Sequence, residues 1–375
     1  MKKTGVVELK LHGGKAPPWL VSRMRKLAKP LLELIVMNFG VKTLLERIAD
    51  PLWFQALSYV LGYDWDSSGV TTVTVGVLRE VLSPDVGIMV AGGKGKRSLQ
   101  APEDIVKISR EFGFSEQKTN LLIRASRLAA KVDNAVLQDE HQLYHHAMFV
   151  SKHGDWAIIQ QGMCPKSKTA RRYHWISYGL KSFVVDPHEI IGDVRLPWVL
   201  DMASSGSLEA QKISVDIVKE GVDQFRRDFN TLTRLAKGLT SLDMFLSKQR
   251  IRIEPRHKII AKIIPMRINW DALNRAYEIQ PRNYEELVEI RGLGPGTIRA
   301  LALIAELIYD AEVSWRDPIR YTYAHGGKDG VPYPVNVKRM EKVAEFLEDI
   351  IEDLRVGRRE KLEMLKRLSR LVPRR

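Results

Sequence analysis

The sequence predicts an α+β protein, mostly helical, with a small central antiparallel β region and, towards the C-terminus, two helices joined by a glycine turn. Three observations point there. Apolar residues recur at helical spacing through much of residues 18–138 and again after residue 205. Short apolar runs crowd the centre, where residues 147–150 and 156–159 flank a turn containing Gly154 and Asp155, the pattern of a β-hairpin. Finally, Leu287, Val288 and Ile290 run into Gly292-Leu293-Gly294-Pro295-Gly296, and Thr297 opens a further apolar helix.

In order along the chain, residues 6–11 alternate apolar and polar and read as a strand, which ends in His12-Gly13-Gly14-Lys15. Helices are expected at 18–29, 30–38, 41–48 and, after Asp50-Pro51, at 51–61. Small hydroxyls and Gly69 precede a helix at about 70–82, and residues 86–90 read as a buried strand running into Ala91-Gly92-Gly93-Lys94. Two helices around Gly113 should fill 102–138, with the helical pattern extending across 137–146 as one option. After the central hairpin come a loop at 162–170, a strand at 173–176, and short strands near 182–185 and 190–192. From 205 the pattern is helical and charged, and residues 250–258 form a basic connector. A final amphipathic helix is expected at 336–354, followed by a basic tail that reads as a second helix. These shifts divide the chain into a mixed α/β catalytic domain (1–204), a helical connector (205–258), a nucleic-acid-binding domain (259–335) and basic C-terminal helices (336–375).

Composition narrows the partners. Of 375 residues, 45% are hydrophobic and 28% charged, which excludes a disordered chain. The net charge of +14 selects a polyanionic partner, with nucleic acid first, and a membrane surface or plain solubility as the weaker readings. One cysteine, Cys164, excludes a disulfide framework and a four-thiolate zinc site, and fits a reducing cytoplasm. No run of about eighteen apolar residues and no signal-peptide pattern is present, so a cytoplasmic protein without a membrane partner is expected. Abundant Lys, Arg, Glu, Ile and Val suggest a thermophile.

Three Gly-Gly-Lys loops, at 13–15, 92–94 and 326–328, expose backbone N–H groups beside a lysine and suit a phosphate. None has the spacing of a nucleotide-binding P-loop, so no nucleotide cofactor is expected. The glycine turn is the most specific signal. Glycines at alternate positions allow close backbone approach, and the helix start behind them leaves N–H groups without partners. Residues Gly292, Gly294, Gly296 and Thr297, with Arg291 and Arg299 at the rim, resemble the helix-hairpin-helix motif of DNA repair and recombination proteins. That resemblance implies a grip on the DNA backbone without sequence reading; the plain alternative is an ordinary helical corner.

The centre carries the densest run of reactive side chains. If residues 137–146 are helical, His141 and His145 share one face and, with Asp155, Asp139 or His174 as a third ligand, could hold a divalent metal, magnesium or manganese ahead of zinc; the plain alternative is hydrogen-bonded polar residues near a sheet. Asp139, Glu140, His145 and Asp155 are candidate bases or ligands. Arg171, Arg172 and Lys94 are candidates for stabilising the phosphate charge, Gln160 and Gln161 carry amides suited to base edges or the scissile phosphate, Lys15 or Lys94 is a candidate nucleophile, and His174 joins the catalytic candidates. Tyr173 and Trp175 offer faces on which an unstacked base would rest.

Read together, His12-Gly13-Gly14-Lys15, Trp53-Phe54-Gln55, Ser67-Ser68-Gly69-Val70-Thr71-Thr72, Ala91-Gly92-Gly93-Lys94, Gln160-Gln161-Gly162-Met163, Ala170-Arg171-Arg172-Tyr173-His174-Trp175 and Trp315-Arg316-Asp317-Pro318 resemble an archaeal and bacterial family catalogued as domain of unknown function seven-six-three. The resemblance spans about residues 4–335 and implies that these blocks belong to one architecture. The hairpin is also similar to that of base-excision glycosylases, but Gly296 stands where their lyase members carry a catalytic lysine, so only the backbone grip carries over. The expected function is a metal-dependent, structure- or damage-specific endonuclease of DNA repair acting on duplex or branched DNA. The alternatives are a DNA glycosylase, a non-catalytic DNA- or RNA-binding protein, and an enzyme acting on a small phosphorylated substrate.

Overall fold

The computed structural model describes residues 16–63, 68–191, 196–236, 264–265, 267–319, 337–354 and 356–368. The strand expected at 6–11, Lys15 with its loop, the connector at 250–258 and the third Gly-Gly-Lys loop lie outside the described residues.

The N-terminal layer is helical. Helix α1 (Pro18–Ala49) starts with proline in its first turn and runs through Pro30, so the separate helices expected on either side of residue 30 are continuous. It breaks at Gly40, whose φ of 82° only glycine adopts cheaply. Asp50 then caps α2 (Pro51–Leu61), accepting from the backbone N–H of Leu52 and Trp53, and α3 (Gly69–Val81) follows. Next come β1 (Ile88–Lys94), a 3-10 turn (Gly95–Gln100), α4 (Ala101–Glu111) and α5 (Glu116–Lys131), the last capped by the Ser115 hydroxyl.

After α5 the chain departs from expectation. A single π-helical turn (Val132–Val136) leads into the short β2 (Leu137–Gln138), Glu140 takes a left-handed φ of 66°, and β3 (Gln142–Ser151) begins. Residues 137–146 are therefore not helical, and His141 and His145 do not share a helix face. Strands β4 (Trp156–Cys164), β5 (Thr169–Ile176) and β6 (Glu189–Ile191) complete an antiparallel sheet in the order β1-β3-β4-β5-β6. No strand forms at 182–185; β7 (Leu200–Asp201) pairs with β2 instead.

Helices α6 (Leu208–Glu220), α7 (Val222–Ala236), α8 (Trp270–Ile279), α9 (Tyr284–Glu289) and α10 (Pro295–Leu307) follow, then α11 (Val337–Asp353) and α12 (Arg358–Leu368). The fold is thus α+β, mostly helical, around one antiparallel sheet.

The sheet is buried on both faces, because alternate residues of each strand point to opposite sides. Met148, Val150, Ile158, Tyr173 and Trp175 enter a core shared with α4 to α10. Ala147, Phe149, Ala157 and Ile159 enter a second core built from α1 to α3. Leu347, Ile350, Ile351, Met364 and Leu368 of α11 and α12 close that second core. At roughly 1.5–3 kcal/mol for each large apolar side chain fully buried, both layers contribute strongly to stability.

Candidate functional site

Strand register sorts the central polar residues into two layers. His146, Gln160 and Tyr173 stand opposite one another on β3, β4 and β5, while Lys94, His145, Gln161 and Arg172 form the adjacent row across β1, β3, β4 and β5. Adjacent rows project to opposite faces.

On the first face, toward α5 and the glycine turn, the polar groups are locked together. Ser126 Oγ lies 2.8 Å from His146 Nε2, and His146 Nδ1 lies 2.8 Å from Gln160 Oε1. Gln160 donates to Asp133 in the π-helical turn, which also accepts from Trp175 Nε1 at 2.9 Å and lies 2.6 Å from His188 Nε2. Burial pushes the Asp133 carboxyl up, against the opposing pull of His188. Two residues further along β5, Arg171 is 1% exposed and bridges Asp139 at 2.9 Å and Asp317 at 2.6 Å. Tyr173 Oη donates to Asp139 at 2.8 Å. Burial opposes ionisation of Asp139, but the Arg171 guanidinium and hydrogen bonds from His141 outweigh it and hold the carboxyl at about 2.

On the second face, Arg172 is fully buried. Its guanidinium donates to Gln55 Oε1 at 3.2 Å and to His174 Nε2 at 2.8 Å, and stacks 4.8 Å from the Phe54 ring centroid. Gln161 donates to Tyr144 Oη and to Ser68 O, and accepts from Thr71 Oγ1. His174 is held neutral by burial and by the neighbouring Arg172 charge. His145 stands apart: it is 1% exposed, and neither ring nitrogen has a hydrogen-bond partner among the described residues. Burial, reinforced by His146 and Lys94, lowers its pKa to about 3, so the imidazole is neutral. Lys94, opposite it on the edge strand, is exposed.

Several sequence candidates therefore change character. Arg171 is already bound to two carboxylates. Tyr173 and Trp175 are 0% exposed, with Trp175 stacked 4.3 Å from His188, so they are core residues rather than platforms for a base. The proposed metal trio does not converge. His141 contacts Asp139 O at 2.7 Å and Thr169 Oγ1 at 3.0 Å with its two ring nitrogens. Asp155 sits in the hairpin turn six residues of β4 from Gln161, the partner of His145, which is about 20 Å of strand. Glu140 is exposed, and among the described residues no three His, Cys, Asp or Glu side chains group as a metal set.

The glycine turn is well formed. Asn283 caps α9, and Gly292 turns the chain with a φ of 94°. The turn's carbonyl oxygens are occupied: Arg275 donates to Arg291 O at 2.8 Å and Asn269 to Gly292 O at 3.1 Å. Leu293 N donates to Ile290 O at 3.3 Å, while the start of α10 has Gly294 at its N-cap and no side-chain cap. A Cβ on Gly296 would lie 2.7 Å from Arg267 O, so only glycine permits that close approach. Thr297 Oγ1 accepts from Asn269 N at 3.3 Å, and Arg299 donates to Gln138 at 2.6 Å rather than pointing to the rim. A cavity of about 430 Å³ opens here, lined among others by Arg267, Asn269, Gly294, Gly296 and Thr297.

Sequence reasoning missed Asp133, Lys131, Arg124, Arg127 and Asn269. The last four carried a signal: Arg124, Arg127 and Lys131 recur at helical spacing, and Asn269 precedes a helix as an N-cap should.

The blocks noted in the sequence meet in space. Gln55, Ser68, Thr71, Gln161 and Arg172 build the second polar layer, and Asp317 anchors the first. Among the described residues no helix is long and apolar enough to cross a membrane. No curated protein and no solved structure matches the chain. One family does, over nearly the whole of it: the chain belongs to the family described as protein of unknown function, DUF763, whose sequence pattern matches residues 5–335.

Proposed function

We propose that this chain processes DNA, seating the sugar–phosphate backbone of a duplex or branched substrate at the glycine turn and cutting it at the sheet edge where the exposed Lys94 stands opposite His145. One observation carries the reading: the uncapped start of α10 opens through Gly294, Gly296 and Thr297 onto the 430 Å³ cavity that also holds Arg267 and Asn269. N–H groups at a helix start attract phosphate, and such contacts position a strand without reading bases. The net charge of +14 favours the same partner.

The chemical half of the proposal rests on His145. A buried imidazole with both nitrogens unsatisfied is costly to keep, which favours a role in chemistry. Held neutral, it would orient a water or a phosphate oxygen by hydrogen bonding, with the exposed Lys94 supplying charge at the rim.

The test incubates the protein with labelled single-stranded, duplex, flap and uracil- or hypoxanthine-bearing DNA, with magnesium, manganese or a chelator. Strand cleavage is the expected result. Breaks revealed only by alkali at the modified base would make it a glycosylase, and binding without product would make it a non-catalytic binder. Gly294→Glu is expected to weaken duplex binding at least about tenfold without lowering the melting temperature. The Gly294 backbone (φ −90°) suits any residue, and a Cβ there meets nothing within 4 Å. His145→Leu is expected to abolish cleavage while binding and melting temperature hold, because it removes an unsatisfied polar group from a buried position. Full cleavage by that variant would remove the second polar layer from the chemistry.

A further inference from the structure

Beside the glycine turn, α5 carries Asn120, Arg124, Arg127 and Lys131 at spacings of four, three and four residues, which places them along one helix face. They line a cleft of about 370 Å³ whose other wall is Val288 and Glu289 of α9. The walls are tied together, because Arg124 pairs with both Glu285, at 2.8 Å, and Glu289. Glu285 in turn accepts from the backbone N–H of Phe183 at 3.1 Å. The remaining two cations have no such engagement among the described residues. Arg127 is exposed. Lys131 is half-buried, and its ammonium donates to the carbonyl oxygen of Ile290 at 3.3 Å, two residues before Gly292.

A half-buried ammonium served by one carbonyl is an unstable arrangement, and burial holds Lys131 below the usual lysine pKa. The group that relieves it is an anion entering the cleft. The stripe ends at the turn itself, and from Asn120 to Lys131 it runs ~16 Å along the helix axis, long enough to meet more than one phosphate of a strand.

We infer that the cleft between α5 and α9 is a second phosphodiester seat, in which Arg127 and Lys131 hold the backbone of the same strand as it leaves the glycine turn. This rests on the proposed binding of DNA at that turn, and adds to it the direction in which the strand runs: from the α10 N-terminus along α5 rather than toward α7. Arg124 is a positioning residue, fixing α9 against α5 so that the seat keeps its width. Contacts of this kind carry affinity and its salt dependence and no base specificity.

The experiment measures binding of a labelled 20-mer duplex across a salt series for the full chain and for Arg127→Ala, Lys131→Met and Gly294→Glu, with melting temperatures alongside. Arg127→Ala and Lys131→Met are each expected to reduce the slope of log affinity against log salt by about one, and to weaken binding roughly threefold to tenfold. Lys131→Met is further expected to melt at or above the temperature of the unsubstituted protein, since it exchanges a poorly paired buried charge for an apolar chain of similar length. Lys131→Arg, which keeps the charge, should retain the slope. Unchanged slopes for both Arg127→Ala and Lys131→Met, while Gly294→Glu still weakens binding, would overturn the second seat and leave the turn intact. Unchanged binding by Gly294→Glu would instead remove the underlying reading.

Discussion

Replacing Asp139 with alanine is expected to destabilise the protein by roughly 3–5 kcal/mol, the cost of depriving a buried charge of one of its two carboxylates and two further donors of their acceptor. Arg171 is 1% exposed and divides its guanidinium between Asp139 and Asp317. Asp139 also accepts from Tyr173 Oη and from the backbone N–H of His141, so three donors lose an acceptor together. Against a typical stability of about 5–15 kcal/mol, that is a large share. Urea unfolding followed by tryptophan fluorescence measures it. A loss below about 1 kcal/mol would show that Asp139 is not the structural anchor described, and would return it to the candidates for chemistry. The acid dependence has a definite sign. Asp139 titrates at about 2 in the fold against 3.8 ordinarily, so its contribution is complete above about pH 4 and is lost as pH falls toward 2.

Asp201 produces the opposite slope, and Asp201→Asn is expected to remove it. The carboxyl is 4% exposed and accepts from the backbone N–H of Ala203 at 3.0 Å. Burial, with Asp186 and Asp317 adding repulsion, outweighs that hydrogen bond and pushes its pKa up to about 7. Between about pH 4 and 7 the folded form therefore keeps a proton that the unfolded chain has released, and stability declines as pH rises through that window. At 1.36 kcal/mol per pKa unit the decline amounts to a few kcal/mol. Asparagine preserves the acceptor oxygen and carries no charge at any pH, so the variant should gain on the parent by about 3 kcal/mol between pH 5 and pH 8. His145, His146 and His174, all held neutral by burial, tilt the curve the other way, but they are common to both proteins. Urea midpoints at the two pH values decide it, and an unchanged difference between parent and variant would mean that Asp201 is ionised in the fold at pH 5.

Much of the fold was legible because its signals are local. The Ser151–Asp155 turn declares itself through Gly154, whose φ of 81° needs glycine, and the glycine turn through Gly292 and the proline that starts α10. Helix starts at Asp50-Pro51 and at Ser115 follow from capping chemistry alone. The helical option for 137–146 fails for a physical reason. Strand β3 is covered on both faces, so its apolar run shows no alternation, and its first half is polar because it feeds the two buried layers. Histidines four apart then imitate a helix face. The site was legible as a set of residues and not as an arrangement. That Arg171 belongs with Asp317, 146 positions away, has no local trace, and neither does the pairing of Arg172 with Gln55. Burial was the other hidden quantity: an Arg-Arg-Tyr-His-Trp run reads as a binding surface until register places every member of it inside.

Gln138 has a mechanical consequence. Its amide accepts from Arg299 and donates both to Pro295 O, at the head of α10, and to Ala135 O in the π-helical turn. Asp133, in that same turn, is tied through Gln160 to β4. Tension applied at the mouth of α10 is therefore carried through a short run of hydrogen bonds into the middle of the sheet. If DNA is held at α10 and cut at the sheet, as proposed, one stiff chassis would fix the distance between the two ends like a ruler.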